Sequence, residues 1–228
     1  MKHAIYPFLL FILILTGCQS VLFTGMMLFK GNDQKPRHDI LLTGEKRVAV
    51  VPRAMYSNAY EMQNAPLMIA RQVNHLLDEN VRENIRPHQR NKKLHLVEQS
   101  KVEMWLDNCN NDFDSFAEVG RDKSIKADIV IGFDIINFQI RDPQNPYLIQ
   151  GRCQVQVQAI DCVTGNIEAT ENLMIVYPNM PMSGTGGSSD ESLFRPQFMQ
   201  VVAERIAAQF HYYDPIKLQR MDNDSHLN

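Results

Sequence analysis

The stretch Ala127-Asp-Ile-Val-Ile-Gly-Phe-Asp-Ile-Ile-Asn-Phe-Gln-Ile140 decides the fold, because it is the longest strand pattern in the chain. Its first half is apolar on both faces, which is typical of a strand in the middle of a covered sheet. Its second half alternates between apolar and polar residues, which predicts that this half leaves the covered part of the sheet. The remaining elements are therefore expected to assemble around residues 127–140.

Two shorter strands and a long helix precede this stretch. Arg47–Pro52 is an apolar run that ends at a proline, and Lys93–Glu98 is a second short strand pattern. Between them, Asn64 fits a helix N-cap with Pro66 in the first turn, and apolar residues recur every three or four positions as far as Ile85. The sequence therefore predicts a β-α-β start.

Two short helices are predicted before residue 127. Ser100 with Glu103, and Ser115 with Glu118, each fit a capping box. The oxygen-rich stretch Asp107–Asp114 lies between them but lacks the glycine and the glutamate of a calcium-binding loop. Turn and cap chemistry explains this stretch, so no metal site is predicted.

A meander of strands follows residue 140. Cys153–Ala159 alternates with glutamines at 154, 156 and 158, which predicts a half-exposed antiparallel strand. Asp161–Asn166 predicts a turn in which Gly165 supplies a positive φ, and Ile167–Tyr177 returns as the next strand. Pro196 is predicted to open the last helix.

A long loop is predicted from residue 178 to residue 195. It contains a glycine-rich run but lacks the Gly-Lys-Ser/Thr ending of a phosphate loop, so nucleotide binding is rejected. Loops of this length are usually functional, which makes it a candidate interaction loop or the edge of a small-ligand groove. The candidate contact residues in it are Gly184, Gly186, Gly187 and Phe194.

The order β-α-β-α-α-β-β-β-α predicts an α/β (α+β) fold. We expect a single three-layer domain with a mixed sheet of about five strands and helices packed on it. The chain has 228 residues, of which 44% are hydrophobic and 21% charged, as in ordinary globular proteins. The formal net charge of −3 shows no basic excess, so no nucleic-acid partner is expected, and no cofactor is implied.

Leu15-Thr16-Gly17-Cys18 resembles the lipobox of bacterial lipoproteins. It follows Lys2 and the apolar run Ile5–Leu15, which is too short to cross about 30 Å of hydrocarbon as a helix. We expect cleavage before Cys18 and lipid on its thiol, so that membrane lipid is one partner. By resemblance to lipoprotein sorting rules, Gln19 favours the outer membrane, with the domain facing the periplasm.

The predicted organisation is a signal peptide at 1–17, a lipidated N-terminus and linker at 18–45, the α/β domain at 46–211 and a polar tail at 212–228. One alternative is open at the N-terminus. Val21–Phe29 is apolar again, so residues 4–29 also fit a single uncleaved transmembrane helix.

The domain resembles a family of α/β envelope domains over residues 47–210. Arg47–Pro52 looks like the family's opening strand, and Val97–Ser100 looks like the entry to its next helix. Phe116–Arg121 followed by Lys126–Gly132, and the turn Ala159–Gly165, match two further steps in order. The family includes the TolB amino-terminal domain, the curli secretion lipoprotein CsgG and the lipoprotein LpoB. Residues of the stretch Tyr147–Val157 also resemble uncharacterised envelope lipoproteins of planctomycete type.

This resemblance implies a fold but no active site, because the family has no common catalytic residues. Within the matching turn, Asp161, Thr164 and Gly165 are expected to be structural. The resemblance favours a non-enzymatic envelope lipoprotein that acts as a protein-interaction or assembly module. The alternatives are a component of an oligomeric secretion channel, a small-ligand-binding protein and an envelope hydrolase.

Few residues support the hydrolase. The available bases are His75, His88, His95 and His211, and no serine elbow or His-Glu-x-x-His pair occurs. Cys153 and Cys162 cannot pair while both lie on one extended strand, since about 30 Å would separate them against the ~7 Å that a disulfide allows. Cys109 can pair with either, or all three remain buried thiols.

Overall fold

The computed structural model describes residues 34–54, 64–84, 94–142, 144–145, 147–183, 188–216 and 218. The predicted signal peptide, the lipobox with Cys18 and the alternative helix 4–29 all lie outside these residues. The elements are β1 (Lys46–Ala54), α1 (Ala65–Asn84), β2 (Leu94–Leu96), α2 (Gln99–Asn108), α3 (Phe116–Arg121), β3 (Ile129–Arg141), β4 (Leu148–Asp161), β5 (Ile167–Ser183) and α4 (Ser188–Ala207). This order and the α/β fold class confirm the sequence prediction.

The five strands form one mixed sheet in the order β2-β1-β3-β4-β5. β1 runs parallel to both β2 and β3, whereas β4 is antiparallel to β3 and to β5. β3 is central, and its residues Ile129–Ile135 are all buried. From Ile136 onward it alternates between half-buried and buried residues, as the pattern of the 127–140 stretch predicts.

Helices cover the two faces of the sheet unequally. α1 and α4 pack on one face and form the larger core with apolar side chains from β1, β3, β4 and β5. α2 and α3 pack on the other face and form a smaller core that takes only Ala49, Val51, Val130 and Ile160 from the strands. The second face is therefore covered over β1 and the start of β3, and much less over β4.

Two strand glycines let helices approach the sheet closely. A Cβ at Gly132 would overlap the ring of Phe116 in α3, and a Cβ at Gly151 would overlap the ring of Phe198 in α4. The two phenylalanines lie on opposite faces of the sheet. On each face, a helix therefore packs a phenylalanine ring against a strand glycine, which has no side chain to block it.

One of the two predicted capping boxes is wrong. α2 begins at Gln99 with Glu98 as its N-cap and no side-chain cap bond, so Ser100 lies inside the helix. The other prediction is confirmed, because the Ser115 Oγ accepts a hydrogen bond from the Glu118 N–H at 3.3 Å. Ser-x-x-Glu spacing alone did not separate the two cases.

The predicted loop from 178 to 195 is wrong over most of its length. β5 continues to Ser183 and α4 begins at Ser188, so Pro196 lies within the helix instead of opening it. The prolines of this stretch suggested a loop, but β5 is an edge strand, where proline is tolerated because its outer side needs no N–H donor.

Residues 34–45 lie in the predicted linker and contact the folded domain. Gln34 pairs with Tyr213 in an isolated antiparallel bridge. Leu41 is 4% exposed and belongs to the core under α1 and α4. This buried leucine explains why the segment is held although its composition is polar.

Candidate functional site

One part of the sheet stays accessible in the described structure. Along β4, residues 153, 155, 157 and 159 are buried towards α1 and α4, while the alternate residues are only half-buried. Their partners on β5 are more exposed still. We call this surface the open face; it comprises Arg152, Gln154, Gln156 and Gln158 of β4 and Thr170, Asn172, Met174 and Val176 of β5.

The open face is a ladder in which half of the eight side chains are amides. In the β4–β5 register, Gln158 lies opposite Thr170, Gln156 opposite Asn172 and Gln154 opposite Met174. The Nε2 of Gln156 donates to the Oδ1 of Asn172 at 3.2 Å. Amide groups both donate and accept hydrogen bonds, so the ladder offers both to an approaching surface.

A buried ion pair borders the open face at β3. Asp134 is the β3 partner of Gln156 and is 3% exposed. Its Oδ1 accepts from the Arg53 Nε at 2.6 Å, and its Oδ2 accepts from NH2 at 3.2 Å. The Arg53 guanidinium carbon lies 4.8 Å from the ring centre of Phe116 and 5.3 Å from that of Phe113. The Arg53–Asp134 pair therefore lies between the aromatic rings of Phe113 and Phe116 on one side and Gln156 of the open face on the other.

A polar network fixes the opposite end of the open face. Arg152 donates from NH2 to the Oε1 of Gln150 at 2.9 Å and to the Oδ2 of Asp142 at 3.2 Å. Gln150, which is buried, donates in turn to the carbonyl oxygens of Pro178 and Asn179. Arg152 is thereby held in place, although its side chain is 42% exposed.

β5 forms one edge of the sheet, and a bulge interrupts it. Ile149 pairs with Met182 and Gly151 with Tyr177, so residues 178–181 stand opposite Gln150 alone. Met180 projects from this bulge and is 82% exposed. Bulges and prolines protect edge strands from uncontrolled pairing with other chains. The regularly paired part of the β5 edge is therefore limited to residues 167–177.

No family model matches the chain. No curated protein matches it either. Among solved structures, the chain is similar to the PelC dodecamer from Paraburkholderia phytofirmans, with 11% identity, coverage of 74% of this chain and 89% of that chain, and a TM-score of 0.37. It is similar to lipoprotein GNA1162 from Neisseria meningitidis, with 12% identity, coverage of 65% and 95%, and a TM-score of 0.40.

The chain is also similar to the LpoB C-terminal domain from Escherichia coli, with 14% identity, coverage of 58% and 84%, and a TM-score of 0.31. The similar structures thus include a bacterial lipoprotein, while the likeness to CsgG and TolB stays a prediction. Similarities of this size do not identify what the chain binds or does.

Of the four residues predicted for the interaction loop, the structure describes Phe194. Gly184, Gly186 and Gly187 lie outside the described residues. The prediction for Phe194 is wrong, because this side chain is fully buried in α4 and stacks between Tyr177 and Phe198. Its apolar ring faces the sheet, as the helical position requires, and is not available to a partner.

The predicted turn residues lie between β4 and β5. The Oδ1 of Asp161 accepts from the N–H groups of Val163 and Thr164, both at 2.8 Å. The Thr164 bond is the main cause that lowers the pKa of Asp161. Gly165 has a φ of +79° and donates its N–H to the Asp161 carbonyl at 2.8 Å. These contacts shape the turn between β4 and β5.

The candidate bases and thiols are dispersed. His75 and His95 are exposed, and each lies beside one glutamate, Glu79 and Glu45 respectively. His211 is buried, and His88 lies outside the described residues. Within the part of the chain that the structure describes, no three His, Cys, Asp or Glu side chains are placed to hold a metal ion.

The three thiols are free in the structure. Burial raises the pKa of Cys153 to about 12. Burial, together with the charge of Asp161, raises the pKa of Cys162 to about 11. Cys109 donates its thiol to the Leu106 carbonyl at 3.3 Å. The two buried thiols therefore stay protonated at neutral pH and are poor nucleophiles.

The sequence carries a signal for the exposure of the open face but none for its function. The glutamines at 154, 156 and 158 predicted a half-exposed strand, and the structure shows them so. The sequence does not reveal that α2 and α3 cover β4 only near Ile160 and leave the rest of that strand face uncovered. Among the described helices, none is long and apolar enough to cross a bilayer.

Proposed function

We propose that this chain is a lipid-anchored envelope protein, and that it works without catalysis by docking a protein partner on the open face. The observation that carries the proposal is the open face itself, a sheet surface that α2 and α3 do not reach. An antiparallel sheet commonly leaves one face in water, so the exposure of the open face permits docking, and its side-chain chemistry decides whether it suits a partner.

The chemistry of the open face supports a hydrogen-bonded protein interface. Its side chains are neutral except for Arg152, and Met174 supplies an apolar contact that is 67% exposed. Interfaces between proteins that also exist apart are about as polar as the rest of the surface, and arginine and methionine are enriched in them. The ladder order of the glutamines gives such an interface a fixed register.

The anchoring part of the proposal depends on Cys18 and the lipobox before it. A diacylglyceryl group places two acyl chains in the bilayer, which is enough for stable attachment, whereas one chain is marginal. Gln19 then supports an outer-membrane location with the domain in the periplasm. The non-catalytic part is supported by the protonated thiols and the dispersed histidines.

Lipid labelling tests the anchor directly. Cells that express the full chain are grown with an alkyne fatty acid, and the purified protein is compared with Cys18→Ser. We expect label and a membrane pellet for the parent, and loss of both in the variant. Label that persists in Cys18→Ser, or an unlabelled parent that still pellets with its leader attached, would favour the transmembrane alternative.

A charge placed on the open face tests the docking surface. Asn172→Arg puts a long cation into the ladder, and Met104→Arg on α2 is the matched control because Met104 is 64% exposed on a helix. After crosslinking in whole cells, we expect recovery of the main partner to fall at least tenfold for Asn172→Arg only. Equal recovery from the two variants would show that the partner docks elsewhere.

A further inference from the structure

Residues 34–45 form a strap that lies between the proposed anchor and β1. At its start, Gln34 and Tyr213 exchange backbone hydrogen bonds of 2.8 and 3.2 Å. The Tyr213 hydroxyl also donates to the Gln34 Oε1 at 3.0 Å. The beginning of the strap is therefore held by the segment that follows α4.

The middle of the strap is held by the end of α4. The N–H of His38 donates to the Gln209 carbonyl at 2.9 Å, and the His38 ring centre lies 5.9 Å from that of Phe210. Leu41 is the strap's buried apolar residue, and Ile40 packs beside the same core. The strap thus has one apolar contact region and several polar contacts.

One carboxylate on β5 binds two strap side chains. The Oε1 of Glu171 lies 2.9 Å from the His38 Nε2, and its Oε2 lies 3.0 Å from the Arg37 NH1. The side chain of Glu171 is 12% exposed, whereas that of Arg37 is 68% exposed. Glu171 is therefore a nearly buried acceptor whose partners are both supplied by the strap.

We propose that the strap is a releasable clasp, fastened by Glu171, which sets how far the tethered domain reaches from the membrane. This inference rests on the proposed lipid at Cys18. With the strap docked, about 15 residues separate Cys18 from Gln34, which span at most about 54 Å when extended. With the strap released as far as Lys46, about 27 residues span at most about 97 Å.

Release of the strap exposes Leu41 of the core under α1 and α4 but breaks no strand pairing of the five-stranded sheet. Lys46 begins β1, which is paired with β2 and β3, so the sheet stays intact when the strap opens. The contact between Arg37 and Glu171 is an ion pair at the surface, because Arg37 is exposed. Such pairs weaken as salt screens them. A partner that binds Glu171 or the strap thereby changes the reach of the domain.

Hydrogen exchange on the full-length protein in lipid nanodiscs tests the clasp. Glu171→Gln removes the carboxylate that both strap side chains bind, and Glu103→Gln is the matched control, since Glu103 is a similarly buried carboxylate that pairs with the exposed Arg71 away from the strap. We expect the amides of Gln34, His38 and Tyr213 to exchange at least tenfold faster in Glu171→Gln, with the amides of β3 unchanged. Strap amides that stay as protected as in the parent would overturn the proposal.

Two further variants keep the test decisive. If Glu171→Gln also loses protection in β3, Arg37→Ala replaces it, because the exposed Arg37 has no role in the core; an unchanged strap in Arg37→Ala would overturn the clasp. Gln34→Cys with Tyr213→Cys locks the strap instead. The two positions form a hydrogen-bonded antiparallel pair with Cα atoms about 5.5 Å apart, within the range of a disulfide.

Energy transfer between a dye on the domain and acceptors in the bilayer measures the reach. We expect the oxidised, locked form to stay close to the bilayer and the Glu171→Gln protein to sample longer distances. Equal energy-transfer efficiency in the locked form and in Glu171→Gln would contradict the proposal that the strap sets the distance from the membrane. If Cys18 carries no lipid, both the proposed function and the proposed effect of the strap on membrane distance fail. The hydrogen-exchange experiment still decides separately whether the strap opens.

Discussion

Arg53 and Asp134 show how a single buried charge shapes this surface. Asp134 is 3% exposed in the central strand, and Arg53 supplies both of its hydrogen bonds in the described structure. A buried carboxylate that loses its partner is strongly destabilising, whereas an apolar pair of similar volume is often tolerated. The ion pair therefore serves to place Arg53 on the aromatic rings beside the open face.

This arrangement predicts an asymmetric mutant series. Arg53→Ala leaves Asp134 buried without its partner and should lower the free energy of unfolding by about 3 kcal/mol. The double variant Arg53→Met/Asp134→Leu should recover most of that loss. Urea denaturation followed by circular dichroism measures both. A double variant less stable than Arg53→Ala would show that the charges stabilise the fold by themselves.

Asp161 predicts a pH effect confined to acid. Its N–H donors lower the folded-state pKa below the ordinary value of about 3.9, so the carboxylate stabilises the fold above that value. This contribution is lost as the pH falls through the lowered pKa. Asp161→Ala should therefore flatten the acid side of the stability profile, measured by urea denaturation at a series of pH values. Identical profiles for parent and Asp161→Ala would contradict the turn chemistry.

At the scale of elements, local signals worked where they agreed with the tertiary structure. The apolar run at the start of β3 predicted a covered central strand, because both of its faces carry helices. The glycine and prolines around β5 and α4 predicted a loop instead. Local chemistry cannot show that β5 is an edge strand, where proline is tolerated.

Ser115 and Ser100 predict different effects of substitution by alanine, because Ser115 caps a helix and Ser100 lies inside one. Ser115 accepts a hydrogen bond at the start of α3, so Ser115→Ala should cost about 1 kcal/mol of unfolding free energy. Ser100 lies inside α2, which has no side-chain cap bond, so Ser100→Ala should be neutral or slightly stabilising. Thermal unfolding of both variants compares them. A larger loss for Ser100→Ala would place the start of α2 at Ser100 after all.

At the scale of the whole molecule, the order of elements could be predicted from the sequence, but the place where the surface opens could not, and the lipid anchor at Cys18 stays a prediction. Element order depends on periodicity that each segment carries alone. The open face depends on how far α3 extends across the sheet, and the strap depends on Leu41 reaching a distant core. Both are long-range contacts, which no local pattern contains.

The proposed function predicts the assembly of the native protein. Full-length protein extracted in mild detergent from its own membranes should have the mass of one copy, or of one copy with an unlike partner. An adaptor needs no ring of identical subunits. Mass photometry or native mass spectrometry measures this. A ring of many identical copies would instead favour the secretion-channel alternative.

The most direct test of the central claim is site-specific photocrosslinking in living cells. A photoreactive residue is placed at Asn172 on the open face or at Met104 on α2, in the full-length protein that carries its own leader. We expect one reproducible protein adduct from Asn172, lost when Gln156→Arg is added, and no such adduct from Met104. The same adduct from both positions, or none from Asn172, would contradict the assignment of the open face as the docking surface.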